Sequence, residues 1–227
     1  MAAILGAQKA KIVEVATPPE QTADGYAVAW RGLRLAVRSP GAHNALNALM
    51  AAELCAQLGY SPGKIVEALG RFGGIQRRLE RVDVGGSVRV VDDYGHNPAK
   101  LAAAWSAVSA PSNRVLGVWR PHGFGPLRAM MDPLTDSFAA VCRAGDRLWI
   151  LPVYDAGGTT DRSINADALV ARLVARGVGA EFVPDYAAVG AALARAARVG
   201  DTILVMGARD PQLPVFAREM ATKTKNL

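Results

Sequence analysis

The stretch Val90-Val91-Asp92-Asp93-Tyr94-Gly95-His96-Asn97-Pro98 concentrates the chemistry of this sequence. Two carboxylates, a phenol, a glycine and an imidazole crowd into five positions. Carboxylates and imidazoles are polar groups able to meet a ligand. Each residue alone also has a purely structural reading, because Asp and Asn are ordinary turn and cap residues. Val90 and Val91 read as the end of a buried strand. Pro98 then opens a helix at its first position, where a missing N–H costs nothing. Polar groups at a strand's C-terminal end, just before a helix, lie where open α/β sheets place ligands.

Two further clusters carry candidate chemistry. The segment Trp119-Arg120-Pro121-His122-Gly123-Phe124-Gly125-Pro126-Leu127-Arg128 mixes rigid and permissive backbone with two arginines and a histidine. Arg120 and Arg128 can clamp a carboxylate or phosphate bidentately, or stand as solvated surface arginines. His122 gains interest from His96, which the same sheet edge would bring near it. His43, Asn44 and Asn47 gather at the start of a predicted helix, with the two amides three apart and so on one face. They can hydrogen-bond a base edge or an anion. The plainer reading makes Asn44 an N-cap and Asn47 a solvated residue.

The elements that must position these groups follow from pattern. Residues 1–40 read as β-rich, with strands at 11–15, 26–30 and 33–37, a polar loop at 17–24 and an Arg31-Gly32 hairpin turn. Helices are predicted at 44–58, with Leu46, Leu49, Met50, Leu54 and Leu58 at helical spacing, and from Pro62 to about 69. Residues 72–80 form a loop ending this unit. Beyond it, predicted strands at 88–91, 114–119, 147–153, 180–183 and 202–206 alternate with helices at 98–109, 126–143, 165–176, 186–197 and 213–220. That alternation specifies an α/β fold with a doubly wound, mostly parallel, Rossmann-like sheet. Its strand ends would gather residues 92–96, 120–128, 154–162 and 207–210 along one edge. The tail from 222 reads as frayed.

Composition bounds the partners. The 227 residues are 51% hydrophobic and 20% charged, the balance of a globular chain with a substantial core. The net charge is +6, but the arginines are dispersed and aromatics reach only 6%, unlike a nucleic-acid-binding stripe. A modest positive field suits an anionic small substrate instead. No apolar run approaches the roughly 20 residues of a membrane span, and the N-terminus does not read as a secretory signal, so no membrane partner and a cytoplasmic location are expected. Cys55 and Cys142 have no ligand-like spacing and read as buried free thiols, and no metal-binding set of residues is expected.

Three ordered segments resemble the ATP-dependent Mur ligases of peptidoglycan synthesis: Gly41-Ala42-His43-Asn44-Ala45-Leu46-Asn47-Ala48, Gln76-Arg77-Arg78-Leu79-Glu80, and Val91 through Pro98. The Pro121-His122 loop and the Gly207 strand end extend the similarity over nearly the whole chain. Within the family it is greatest to members that join an amino acid to UDP-N-acetylmuramate. The resemblance implies that residues 1–80 correspond to the end of a central ATPase domain and 81–227 to the C-terminal domain. It further implies ATP-binding roles for His43, Asn44, Asn47 and Arg78, with Asp93 bonding the ribose. Tyr94 and His96 would face the incoming amino acid and an acyl phosphate, as catalytic groups, while His122 and Arg128 position the amino acid. ATP and Mg²⁺ are the implied cofactors, with the Mg²⁺ ligands mostly outside this sequence.

Departures from the family pattern qualify these implications. No G-x-x-x-x-G-K-[ST] phosphate loop occurs, so a P-loop-bearing chain or a missing N-terminal region is the implied partner. Alanine-adding members carry arginines soon after the Pro-His pair, where this sequence has Gly123 and Pro126 and retains Arg128. An alternative is a non-catalytic module on the same fold that binds a nucleotide or muropeptide. Another is a phosphoacceptor receiver built on Asp92-Asp93 with Asp155 as acceptor, though Gly207-Ala208-Arg209 supplies no lysine for it.

Overall fold

A computed structural model describes residues 18–227 except 23, 24, 39, 40, 84, 156, 158, 160 and 226. The strand expected at 11–15 lies outside the described residues. β1 (Glu20–Thr22), β2 (Gly25–Trp30) and β3 (Leu33–Val37) form an antiparallel sheet. The predicted loop at 17–24 therefore contains a short strand, because the free edge of β2 pairs its backbone with Glu20–Thr22. Arg31 and Gly32 both adopt left-handed φ, 49° and 75°, as a two-residue turn matched to strand twist requires.

Val28, Trp30, Leu35 and Val37 bury one face of this sheet against α1 (Ala42–Gln57) and α2 (Pro62–Gly70). Gly41, at φ 90°, is the N-cap of α1, and its carbonyl accepts the Asn44 N–H at 3.0 Å. Asn44 therefore sits inside the first turn and does not cap the helix. The buried stripe of α1 is Ala45, Leu49, Ala52 and Glu53. Small alanines bring the helix close to the sheet, so Leu46, Met50, Leu54 and Leu58 turn outward and are exposed. Glu53 accepts hydrogen bonds from Trp30 Nε1 (3.1 Å) and Arg31 Nη2 (2.7 Å), which hold its carboxyl down at about 2.

The second sheet has the order β4-β5-β9-β6-β7-β8. Its strands are β4 (Glu80–Arg81), β5 (Arg89–Asp93), β6 (Val115–Trp119), β7 (Arg147–Ile150), β8 (Ala180–Phe182) and β9 (Thr202–Met206). All neighbours are parallel except β4, which runs against β5. Successive residues of one strand point to opposite faces and both faces are covered, which explains the continuous apolar runs. Val115, Trp119, Leu148, Ile150, Leu204 and Met206 pack with α3 (Pro98–Ser109), α5 (Met131–Val141) and α6 (Ala166–Ala175). Leu116, Val118, Trp149, Ile203 and Val205 pack with α7 (Tyr186–Ala196) and α8 (Gln212–Lys223). The α/β, mostly parallel fold expected from the sequence is the fold observed.

Several boundaries differ for identifiable reasons. The single helix expected at 126–143 is two, α4 (Phe124–Ala129) and α5, separated at Met130. Pro133 has no N–H for the carbonyl of Ala129 and its ring would clash there, so a continuous helix is excluded. β5 continues through Asp93, which makes Asp92 and Asp93 strand residues, and β4 takes two residues from the segment around the predicted loop. The tail is ordered further than expected: α8 reaches Lys223, and the buried Thr224 donates from Oγ1 to the Met220 carbonyl at 2.8 Å. Both cysteines are free and half-buried, and burial pushes the Cys142 thiol up to about 12. No helix among the described residues is long and apolar enough to cross a membrane.

Candidate functional site

The strand order sets β5, β9, β6 and β7 side by side, so the loops after them share one edge, as the alternation predicts. The foundation of that edge is Asp92, which is fully buried. Arg77 reaches it at 3.2 Å through Nε and donates from Nη2 to the Gly207 carbonyl at 2.6 Å. Burial pushes the Asp92 carboxyl up to about 6 against the opposing pull of Arg77. The Arg77 carbonyl accepts the Tyr94 N–H at 2.7 Å, and its guanidinium lies 5.0 Å from the centre of the Tyr94 ring. Asp93 accepts the Leu79 N–H at 2.8 Å and the Gly95 N–H at 2.7 Å, while burial raises its carboxyl above the usual range. Residues 77–79 are thereby stapled across β5 and β9, with Arg77 and Leu79 both in left-handed backbone. Glycine is required at 207, since a Cβ there would stand 2.8 Å from the Arg120 carbonyl oxygen and 2.7 Å from Leu213 Cδ1.

Above this foundation lies an open pocket of about 320 Å³. Its lining includes His43, Asn44 and Asn47 from the start of α1, Arg78 from the connecting loop, Asp93 from β5, and Lys100 from α3. The structure thus brings together all five residues to which the resemblance assigns ATP. Beside the pocket is a second cluster. The His96 and His122 rings meet edge to face at 5.4 Å between centroids, and Tyr94 approaches His96 in the same way at 5.7 Å. His96 Nδ1 lies 2.9 Å from the Tyr94 carbonyl oxygen. A carbonyl can only accept, so Nδ1 is the donor in this contact. Burial lowers the His122 imidazole below its usual value, and the charges of His96 and Arg209 lower it further.

The two arginines proposed as clamps are otherwise engaged. Arg120 pairs with the buried Asp210 at 2.5 Å, and Tyr186 donates its hydroxyl to the same carboxylate at 2.6 Å. Arg128 pairs with Asp161 at 2.8 Å and donates to Ser163 Oγ at 3.0 Å. The receiver alternative loses its acidic pocket: Asp92 lies buried under Arg77, and Asp155 is paired with Arg162 on the surface. Among the described residues, no group of three or more His, Cys, Asp or Glu could hold a metal ion. Arg77, Tyr186, Asp210 and Arg209 contribute to this edge without having been candidates. The sequence signals for them are slight: an Arg-Arg pair in a loop, and a position in the strand-end loop at 207–210.

The class that the fold and the site define is an α/β domain with an open pocket and a histidine pair at its strand ends, preceded by an antiparallel sheet with two helices. Residues 77–209 match the family described as Mur ligase, glutamate ligase domain. The chain belongs to the Mur ligase family. It is 36% identical over 185 residues to a UDP-N-acetylmuramate–L-alanine ligase of Mycobacterium sp. (strain JLS), covering 79% of this chain and 36% of that one. Identity to the enzyme of that name from Syntrophotalea carbinolica is 34% over 205 residues, covering 86% and 42%. Among solved structures, the UDP-N-acetylmuramate–alanine ligase of Thermotoga maritima aligns with a TM-score of 0.63 at 23% identity, covering 84% of this chain and 40% of that chain. MurF from Acinetobacter baumannii aligns at 0.68 with 18% identity, covering 91% and 44%. A Mycobacterium tuberculosis folylpolyglutamate synthase complexed with ADP aligns at 0.58 with 16% identity, covering 91% and 46%. Likeness at these identities speaks for the fold alone. The chain spans 36–42% of the length of the two sequence relatives.

Proposed function

We propose that this chain forms the nucleotide- and amine-facing part of an ATP-dependent ligase that joins an amino acid to UDP-N-acetylmuramate in peptidoglycan synthesis. The convergence of His43, Asn44, Asn47, Arg78 and Asp93 on one pocket, directly beside the His96–His122 pair, carries this reading. In it the two asparagines and His43 lie near the adenine, Asp93 bonds the ribose and Arg78 reaches the nucleotide from the connecting loop. The γ-phosphoryl group of ATP passes to the sugar's carboxylate and gives an acyl phosphate. The amine then attacks the acyl carbon, and phosphate leaves as the amide forms. Such chemistry depends on positioning and on charge compensation.

Tyr94, His96 and His122 face the incoming amino acid in this reading. The amine arrives as an ammonium ion and must lose a proton before it attacks. A neutral imidazole is suited to accept that proton, and His122, whose burial lowers it below its usual value, provides one beside His96. The residues at 1–80 belong in this reading to the end of a central ATPase domain and those at 81–227 to a C-terminal domain. The phosphate loop and the Mg²⁺ ligands come from a P-loop-bearing polypeptide outside these residues, and the assembled enzyme works in the cytoplasm.

Titration calorimetry of Mg-ATP and ADP into the purified chain tests the pocket. Binding that the Asn44→Ala/Asn47→Ala double substitution weakens is the expected result, by about 1–3 kcal/mol for two lost amide contacts, or roughly five- to 150-fold. Amino-acid-dependent phosphate release on adding a P-loop-bearing partner tests the reaction. Tight nucleotide binding without turnover, with a competent partner present, would turn the reading toward a non-catalytic binding module.

A further inference from the structure

We propose that Arg209 binds the carboxylate of the incoming amino acid and so sets which amines the site accepts. The inference rests on the ligase reading above and adds a residue to it. β9 lies between β5 and β6, so the loop at 207–210 opens between the His96 loop and the His122 loop. His96 and His122, whose rings meet at 5.4 Å, come from the two loops on either side of it.

The backbone on either side of Arg209 is fixed. Gly207 gives its carbonyl to Arg77 and its N–H to the Asp93 carbonyl at 3.2 Å. Asp210 is buried under Arg120 and Tyr186, and its Oδ1 also accepts the Gln212 N–H at 2.8 Å. Between these anchors Arg209 is exposed and holds φ 66°, a left-handed conformation that costs a residue bearing a Cβ. The anchors over-determine that strain, so a guanidinium is presented from a rigid base.

Four guanidiniums along this edge have carboxylate partners, Arg77 with Asp92, Arg120 with Asp210, Arg128 with Asp161 and Arg162 with Asp155, while Arg78 lines the neighbouring pocket. Arg209 forms no ion pair among the described residues, yet its charge is felt at His122. An α-amino acid carries its ammonium and carboxylate on one carbon. A planar, permanently charged fork for the carboxylate beside a neutral imidazole for the ammonium matches that arrangement. The guanidinium also discourages protonation of the imidazole that must accept the proton.

The test follows the imidazole C–H resonances of the purified chain by NMR, assigned by substituting its three histidines one at a time. L-alanine, L-alaninamide and inorganic phosphate are the probes, and Arg209→Gly, which relieves the left-handed strain, and Arg209→Lys are the variants. The wild-type chain is expected to bind L-alanine about tenfold or more tightly than the amide, with the change read at His122. Arg209→Gly abolishes that preference and raises the His122 titration midpoint, and Arg209→Lys restores part of both. An unchanged His122 midpoint in Arg209→Gly overturns the proposal, as does a wild-type chain that does not distinguish the acid from the amide. Arg209-dependent binding of phosphate in preference to L-alanine overturns it in favour of a phosphoryl site. If carboxylate discrimination holds while Mg-ATP leaves His43 unperturbed, the ligase reading fails and the Arg209 site stands.

Discussion

Glu53 and Asp92 both face an arginine from a buried position, and their surroundings drive them in opposite directions. Arg31 and Trp30 close on Glu53 within 3.1 Å and hold it near 2, below its ordinary 4.5. Its contribution to stability is complete above pH 4.5 and is lost as the pH falls through 2. Asp92 has one longer contact, burial prevails, and its carboxyl rises from 3.8 to about 6. The folded state then holds a proton that the unfolded state releases, so this contribution is complete below pH 3.8 and is lost as the pH rises through 6. Urea unfolding across pH should show both slopes: Glu53→Gln removes the acid-side fall, and Asp92→Asn removes the decline between about 4 and 6. Arg77→Ala leaves a buried carboxylate unpaired and should cost about 3–5 kcal/mol at neutral pH, with a smaller loss in acid where Asp92 takes up its proton. Asp92 and Asp93 stood out in the sequence through crowding alone. Arg77 did not, because its role depends on Gly207, which lies far along the chain and meets it only in the folded sheet.

At the scale of elements, the strand–helix alternation was legible because every parallel strand except the edge strand β8 is largely buried on both faces and each covering helix buries one stripe. The short β1 and β4 carry no pattern of their own; each exists to complete the edge of a neighbour. The spacing of Leu46, Leu49, Met50, Leu54 and Leu58 announced the helix; Leu49 is buried and the other four are exposed, since alanines at 45 and 52 claim the sheet. Gly117 shows how tightly one element is fitted to another. A Cβ added there would stand 2.2 Å from Trp105 Cζ3, inside the aromatic contact that seats α3 on β6. Gly117→Ala should lower stability by about 1–3 kcal/mol in denaturant unfolding, as overpacked cores do. Adding Trp105→Leu to it should recover part of the loss relative to the sum of the single changes. Simple additivity of the two would mean that the ring and the glycine do not share this space.

At the scale of the whole molecule, strand order was the part hidden in the sequence. Alternation does not say that the last parallel strand inserts between the first two, yet that insertion brings residues 207–210 between His96 and His122. A second feature belongs to this scale. Met50 and Leu54 are 63% and 61% exposed, and with Leu46 and Leu58 they form one apolar stripe along α1. The first turns of the same helix carry His43, Asn44 and Asn47 into the pocket. The ligase reading requires a phosphate loop near that pocket, contributed by polypeptide outside the described residues, and the relatives are more than twice the length of this chain. A P-loop-bearing segment seated on the stripe meets that requirement, because it would bury the leucines and deliver phosphate-binding groups beside Arg78. Met50→Lys/Leu54→Lys should therefore leave the melting of the isolated chain within about 0.5 kcal/mol of the parent, both side chains being outside the core. The same double substitution should reduce amino-acid-dependent phosphate release in the reconstituted mixture about tenfold or more, since charges would have to enter an apolar contact. Full activity with both lysines in place would move the docking face of the P-loop segment elsewhere on the unit that carries α1.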